Sequence, residues 1–236
     1  MKLKISNKIF STYPNLRIGI VVARGIKNRL KDDTLEELKR KRELNLRQKY
    51  TSETLSAHPY IWAWRETYRS FGVKPKKYNP TCEALIRRIL AGERIPNINI
   101  AVDAYLLLET EFFLPCGGYD LDKVYGDIYL RHSDGGEIFN PLGNPDTVEE
   151  TNPDEVVYSD DKRILTRKWN FRDCDFTKIT VNSTNVAFFV EAAREEILSE
   201  DVQKFILELE NLLSRFCGGI IESFMADAKK LEWVLI

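Results

Sequence analysis

The pattern of apolar residues changes from helical to extended near the middle of the chain. Before residue 115, apolar side chains such as Ile61, Trp64 and Tyr68 recur at helical spacing. After Gly126, short alternating or β-branched segments are separated by Gly, Pro, Asn and Asp, and helical spacing returns toward the C-terminus. This order predicts an α+β (α/β-like) fold in which helices flank a mixed, largely antiparallel sheet, with residues 1–236 forming a single domain.

Local patterns predict most of the individual elements. A β-branched run at residues 15–26 indicates a buried strand, and a charged helix is predicted over residues 26–50. Apolar spacing and capping residues predict three more helices in the first half of the chain, over residues 58–72, 79–92 and 97–115. Two helices are predicted near the C-terminus, over residues 185–198 and 199–217, the second opened by a capping box at Ser199. The final segment, 218–236, has no clear pattern.

Composition restricts the functional classes. The formal net charge of -1 argues against a chain that coats nucleic acid with its whole surface, and no DNA partner is predicted. The four cysteines are widely spaced and have no neighbouring histidine, which predicts free thiols, no metal site and no cofactor. The N-terminus lacks the apolar core of a signal peptide, and no apolar run is long enough to span a bilayer. We therefore expect a cytoplasmic protein with no membrane partner.

Basic residues are concentrated in the loop after the second predicted helix and within the third. We predict that they form a positive patch that contacts RNA phosphates: Lys74, Lys76, Lys77, Arg87 and Arg88. The charges of the helix over residues 26–50 are more simply explained as a solvated face.

Two glycines stand together in "LPCGGYDLDKVYG". Gly117 and Gly118 indicate a demand for close backbone approach, because glycine otherwise costs conformational entropy. An ordinary turn and a binding loop both satisfy this pattern.

The string "TRKWNFRD" concentrates planar side chains. On a strand, Arg167 and Trp169 would share one face, and Asn170 and Arg172 would share the other. Such groups can grip a carboxylate or phosphate and stack on a ring. Alternatively, the tryptophan lies in the core and the arginines pair with the acidic block at residues 146–161.

No catalytic residue is predicted. His58 and His132 are the only histidines, and "RHSDGG" places serine and aspartate too close in sequence to His132 for triad geometry. The glycine-rich and nucleophile motifs of P-loop, dinucleotide-binding and serine hydrolase proteins do not occur.

Several pieces occur in a fixed order over residues 60–190: "INIAVD", "YDLDKVYG", "GDIYLR", "GGE", "PLG" and "EVVYSDD". In this order they resemble the B3/B4 domain of the phenylalanyl-tRNA synthetase beta subunit, and especially free-standing proteins that consist of this domain. The resemblance implies a B3/B4-type domain carrying a pocket that, in the synthetase, hydrolyses wrongly attached tyrosine from the tRNA.

The sequence departs from the synthetase pattern at three places. Gly117 stands where the family has a histidine, Tyr105 and Leu106 where it has Thr-Asn, and Asn182 or Ser183 near its glutamate. The tyrosine specificity and the simplest catalytic proposal therefore do not carry over.

From the resemblance we expect a module that binds tRNA or aminoacyl-tRNA. The predicted pocket residues are Asn99, Asp103, Gly117, Gly118, Arg167, Trp169, Asn170 and Arg172. One alternative is a trans-editing hydrolase that deacylates a mischarged aminoacyl-tRNA, and another is a small-molecule or protein-interaction domain on the same fold. Aminoacylation by this chain alone is not expected, because it has no room for a synthetase active-site domain.

Overall fold

The computed structural model describes residues 1–236. Seven helices and twelve strands occur in this order: β1 (Lys2–Ile5), α1 (Asn7–Thr12), β2 (Arg17–Arg24), α2 (Asp33–Lys49), α3 (Ser52–Ser56), α4 (Pro59–Ser70), α5 (Thr81–Leu90), α6 (Ile100–Phe112), β3 (Cys116–Asp120), β4 (Ile128–His132), β5 (Ile138–Phe139), β6 (Glu149–Glu150), β7 (Val156–Ser159), β8 (Ile164–Arg167), β9 (Arg172–Asp173), β10 (Asn185–Ala192), α7 (Ser199–Phe216), β11 (Ile220–Asp227) and β12 (Glu232–Val234).

The strands are divided between two main sheets and a small ribbon. The six-stranded sheet has the order β12-β1-β4-β7-β8-β9, and only the β1–β4 pair is parallel. The four-stranded sheet has the order β11-β2-β10-β3 and is antiparallel throughout. Strands β5 and β6 form the ribbon. The predicted α+β class with a mixed, largely antiparallel sheet is confirmed, although the strands form more than one sheet.

Strand β10 corrects one of the predicted helices. Residues 185–198 were expected to be helical, but Asn185–Ala192 pairs with β2 on one side and with β3 on the other. Its residues from Val186 to Ala192 are all buried, so both faces of the strand are covered. A strand buried on both faces has a continuous apolar run instead of strict alternation, which explains the wrong prediction.

The other predicted helices agree well with the structure. Helices α2, α4, α5, α6 and α7 lie within the predicted segments. Asp32 caps α2 by accepting hydrogen bonds from the backbone N–H groups of Thr34 and Leu35. The predicted capping box at Ser199 is wrong, because Leu198 is the N-cap residue of α7 and no side chain caps this helix. None of the helices combines the length and apolar character needed to cross a lipid bilayer.

One apolar core connects the two ends of the chain. It contains 57 buried residues and extends from Leu3 in β1 to Leu235 beyond β12. A second cluster of 9 buried residues, including Leu46, Leu55 and Ile86, joins α2, α3 and α5. Helix α5 is therefore packed against an apolar cluster of its own, separate from the main core.

Candidate functional site

A cavity lies where the edges of the two main sheets approach each other. Strands β3 and β9 are edge strands of the four- and six-stranded sheets, and residues of both line the cavity together with residues of α5, α6 and β10. Its volume is about 340 Å³, and half of its lining residues are hydrophobic. This volume lies at the lower end of the range for small-molecule sites, which is about 300–1,000 Å³.

The predicted pocket residues divide into two groups of four. Gly117, Trp169, Asn170 and Arg172 line the cavity. Asn99, Asp103, Gly118 and Arg167 do not line it, and each has another role in the fold.

Asn99 and Asp103 hold the start of helix α6. Asn99 is the N-cap residue, accepting from the backbone N–H of Val102 at 3.1 Å and donating to the carbonyl of Ile179 at 3.0 Å. Asp103 Oδ2 accepts from Lys39 Nζ at 2.8 Å. Both ends of this Lys–Asp ion pair are buried, so Asp103 has no open side for a ligand.

Arg167 is bound to the acidic block, as one of the two interpretations of "TRKWNFRD" proposed. Its Nε and Nη2 each donate to the Glu155 carboxylate at 2.9 Å, and its Nη1 donates to Glu149 at 2.8 Å. The neighbouring cations and donors hold the pKa of Glu155 below its usual value in spite of burial. All three guanidinium nitrogens of Arg167 therefore donate hydrogen bonds within the protein.

The segment after Arg167 turns sharply instead of continuing as a strand. Lys168 and Trp169 adopt left-handed backbone conformations, with φ values of 48° and 68°. The predicted alternation of faces along "TRKWNFRD" is therefore wrong. The turn carries Trp169 into the core, where its ring meets Tyr13 edge-on at 4.8 Å. Asn170 and Arg172 are brought to the cavity by the same turn.

The Glu191 carboxylate anchors this turn. Trp169 Nε1 donates to Glu191 Oε1 at 2.9 Å, and Asn170 Nδ2 donates to Glu191 Oε2 at 2.8 Å. The hydroxyl of Tyr158 also donates to Glu191 Oε1. Trp169 and Asn170 thus form part of the cavity wall, and their polar side-chain groups are hydrogen-bonded within the protein.

Three carboxyl groups line the cavity and were not predicted as site residues. They are Glu109 of α6, Asp173 of β9 and Glu191 of β10. Burial raises the pKa of Glu109 to about 8, that of Glu191 to about 7 and that of Asp173 to about 6. Glu109 interrupts the apolar run "YLLLETEFFL", which is the one sequence signal that could have identified a member of this group.

The two glycines of β3 have different roles. A Cβ atom at Gly118 would lie 2.7 Å from Phe188 Cδ1 and 2.9 Å from the carbonyl oxygen of Ala187. Gly118 therefore permits the close pairing of β3 with β10. A Cβ atom at Gly117 would lie 3.7 Å from Asp173 Oδ2, at ordinary contact distance. Gly117 leaves open the space in front of the Asp173 carboxylate.

This difference gives a testable expectation. Gly118→Ala should lower the free energy of unfolding by about 1–3 kcal/mol, because the added methyl group overpacks a buried strand pair. Gly117→Ala should change it by less than about 1 kcal/mol in either direction. Denaturant unfolding of both variants measures the difference. Equal effects would contradict the assignment of a packing role to Gly118 alone.

The residues of the predicted basic patch do not all have the same role in the structure. Lys74, Lys76 and Lys77 are exposed in the loop between α4 and α5, and none of them forms an ion pair. Arg88 lines the cavity and pairs with Glu93 at 2.7 Å, with about half of its side chain exposed. Arg87 donates to the buried carboxylate of Glu83 and to Ser56, so it serves the fold.

The lysine loop is joined to the cavity wall. Tyr78, directly after Lys77, meets the ring of Phe171 edge-on at 5.1 Å. Phe171 lines the cavity, as do Asn79 and Thr81, the residues that lead from this loop into α5. The loop that carries the three lysines therefore leads directly into the cavity wall.

Neither histidine lies in the cavity. His58 caps α4 and stacks on Phe113 with ring centroids 3.9 Å apart, and burial lowers its pKa to about 4. Ser133, next to His132, donates its hydroxyl to Glu137 at 2.5 Å. This carboxylate contact agrees with the expectation that "RHSDGG" is not a triad.

Comparison with known proteins relates the chain to one family. Residues 63–223 match the family described as the B3/4 domain. The phenylalanine–tRNA ligase beta subunit of Mycoplasma genitalium is 24% identical over 142 residues, which are 60% of this chain and 17% of that protein. An N-terminal fragment of the phenylalanyl-tRNA synthetase beta-subunit from Pyrococcus horikoshii has a TM-score of 0.46 and 15% identity, over 94% of this chain and 53% of that chain. The chain thus spans a minor part of the curated relative that it matches.

Proposed function

The chain belongs to the B3/4 domain family, and from this premise we propose that it is a tRNA-binding module whose cavity receives the terminal aminoacyl group of an aminoacyl-tRNA. The observation that carries the proposal is a cavity whose wall continues directly into a loop of lysines that form no ion pair. A charged polymer with a small group at its end requires both features side by side. A cytoplasmic location would follow from a tRNA partner.

The basic residues would bind the acceptor end of the tRNA through its phosphates. Lys74, Lys76 and Lys77 have no acidic partner within the protein, so contact with phosphate would cost no internal ion pair. Arg172 lines the cavity and donates only to the carbonyl of Leu142, at 3.2 Å, which leaves the rest of its fork free. A fork of this kind suits bidentate contact with phosphate.

The cavity would hold the aminoacyl group. Its walls include the rings of Tyr105, Phe171 and Phe189, which offer apolar and stacking contacts to a side chain or to the terminal base. Contacts to the phosphates would supply most of the affinity, and the cavity would add discrimination of what the tRNA carries.

Salt dependence tests this proposal. A protein lacking the three loop lysines, with Lys74→Gln, Lys76→Gln and Lys77→Gln together, should bind tRNA more weakly than the unaltered protein. The slope of log affinity against log salt should become shallower by about 2 to 3, because each lost phosphate contact removes about 0.7–0.9. Fluorescence anisotropy with labelled tRNA at several salt concentrations measures this slope.

A matched control carries the same charge change elsewhere. Lys204, Lys229 and Lys230 are exposed and do not line the cavity. Their replacement by glutamine should leave the slope close to that of the unaltered protein. An equal loss in both triple variants, or salt-independent binding, would refute a specific basic loop.

A second candidate function, deacylation of a mischarged aminoacyl-tRNA, is favoured by the carboxyl groups in the cavity. The pKa values of Glu191 and Asp173, about 7 and about 6, lie close to neutral pH, where a general base or acid is most effective. Release of amino acid from a panel of aminoacyl-tRNAs would test it, with Asp173→Asn and Arg172→Ala as variants. Release that is absent with every aminoacyl-tRNA would leave binding as the function.

A further inference from the structure

The buried acidic residues of the protein fall into two classes. Outside the cavity, every one of them has a cationic partner within 4.0 Å, as expected for a charge removed from water. These paired residues are Glu43, Glu83, Asp103, Asp120, Glu155 and Asp160.

The carboxyl groups of the cavity lack such a partner. Only 1% of the surface of Glu109 and 2% of that of Glu191 is exposed, and neither residue forms an ion pair. Asp173, which is partly exposed on the cavity side, forms none either. Their hydrogen-bond donors are all neutral groups, such as Thr81 and Thr166. The cavity is thus the one place where the protein buries carboxyl groups without a cationic partner.

Two of these groups keep an oxygen free of protein donors. Glu109 uses Oε1 for both of its hydrogen bonds, which come from the Thr81 hydroxyl at 2.6 Å and the Cys116 backbone N–H at 2.8 Å. Its Oε2 accepts nothing within the protein. Asp173 likewise accepts at Oδ1, from Thr166 at 2.5 Å, and its Oδ2 accepts nothing within the protein. These two oxygens are available to a ligand.

We propose that the cavity binds its ligand through a primary ammonium group, which supplies the cation that Glu109, Asp173 and Glu191 lack. In the context of the proposed function, on which this inference rests, the group is the free α-ammonium of the aminoacyl end. An N-acylated aminoacyl group, which carries no charge there, is rejected.

A metal ion does not fit the same observations. No group of three or more acidic, histidine or cysteine side chains comes close enough to hold one ion. An ammonium group has three donors that point in different directions, so it can satisfy carboxylates on separate elements. The rings of Tyr105 and Phe189 in the cavity wall add favourable contacts for a cation of this type.

Small amines test the inference without tRNA. The probes are the amides of phenylalanine, leucine and alanine, each paired with its N-acetyl derivative, and binding is measured by isothermal titration calorimetry. For at least one pair, the free amine should bind about tenfold or more tightly than its acetylated counterpart, because a hydrogen bond to a charged group is lost on acetylation.

Isosteric variants assign the effect to the carboxylates. Glu109→Gln can keep both bonds at Oε1 while it places an amide donor where the cation would sit, and Asp173→Asn does the same beside Gly117. Each should weaken binding of the amine about tenfold or more and leave the acetylated probe unaffected. Glu111→Gln is the matched control, since Glu111 is exposed on the same helix, outside the cavity, and its loss should have no effect.

The pH dependence provides a second readout. Binding of the amine should strengthen from pH 5 to about pH 7 and release protons, because the carboxyl groups must ionise to pair with it, and it should weaken above about pH 8, where the α-amino group of the probe loses its own proton. Burial raises the pKa of the tyrosine and cysteine side chains that face these carboxyl groups, which are Tyr105, Tyr119, Tyr158 and Cys116. The guanidinium groups of Arg88 and Arg172 also line the cavity.

The outcomes separate this inference from the proposed function. Equal binding of free and acetylated probes, or no binding of any amine at millimolar concentration, overturns the ammonium site even if tRNA binds. Selective binding of amines by a protein that does not bind tRNA supports the ammonium site and removes the proposed tRNA partner.

Discussion

Replacement of Lys39 by methionine is expected to lower the free energy of unfolding by about 3–5 kcal/mol at neutral pH, because it leaves a buried carboxylate without its cation. Lys39 is fully buried, and its ammonium group donates to Asp103, Glu36, Asn97 and the carbonyl of Pro96. Methionine preserves most of the aliphatic volume, so the loss is mainly electrostatic. Thermal or denaturant unfolding measures it.

Two further variants make this expectation specific. Lys41 is exposed on the same helix, and Lys41→Met should change stability by less than about 0.5 kcal/mol. Adding Asp103→Asn to Lys39→Met should recover part of the loss, because no charge then remains unpaired at Asp103. A double variant no more stable than Lys39→Met would show that the ion pair is not the source of the effect. Recovery would also support a structural role for Asp103 in place of the ligand contact expected from the sequence.

Stability is expected to fall as the pH rises through the range where the cavity carboxyl groups ionise. Burial raises the pKa of Glu109 from 4.5 to about 8, so the folded protein holds a proton that the unfolded chain has already released. The folded state binds more protons between these values, and the free energy of unfolding therefore decreases with rising pH. Glu191, with a pKa of about 7, acts in the same direction.

The variant Glu109→Gln should remove this contribution. Near pH 8 it should be more stable than the unaltered protein by about 4–5 kcal/mol, since each pKa unit corresponds to about 1.4 kcal/mol, and near pH 4.5 the difference should vanish. Comparing the two proteins at each pH cancels the titration of all other groups. A difference in stability that does not vary with pH would contradict the raised pKa.

The stability that the protein loses when the cavity carboxyl groups ionise is consistent with a role of these groups in the proposed site. A natural protein that would gain stability from the loss of a buried charge is typical of a site that is selected for binding. A ligand that supplies the missing cation would stabilise the folded state in proportion to its affinity and concentration. The ammonium group proposed above would therefore raise the melting temperature most at a pH where the carboxyl groups are ionised in the complex.

Local patterns in the sequence were sufficient for the five longer helices, α2, α4, α5, α6 and α7, and for the general fold class. The apolar spacing of Ile61, Trp64 and Tyr68, for example, placed α4. These features depend on contacts between residues three or four positions apart, so they can be inferred without knowing the rest of the fold.

Only part of the site could be predicted from the sequence. The stretch from Thr166 to Asp173 was correctly singled out, but its turn at Lys168 and Trp169 inverted the expected faces and directed Arg167 away from the cavity. Glu191 was hidden in a segment interpreted as a helix, and Glu109 within an apolar one. No local sequence pattern predicts that carboxyl groups far apart in the sequence will line one cavity.

The sequence alone therefore determined the five longer helices, the α+β class, the family resemblance and the concentration of lysines in one loop. Tertiary structure decided that β10 is a strand, because its pairing with β2 and β3 outweighs local preference. It also decided which charges are compensated: Asp103 meets Lys39 across 64 positions of the chain, whereas Glu109, Asp173 and Glu191 meet no cation. Electrostatic energy depends on distance in space, and that distance exists only once the chain has folded.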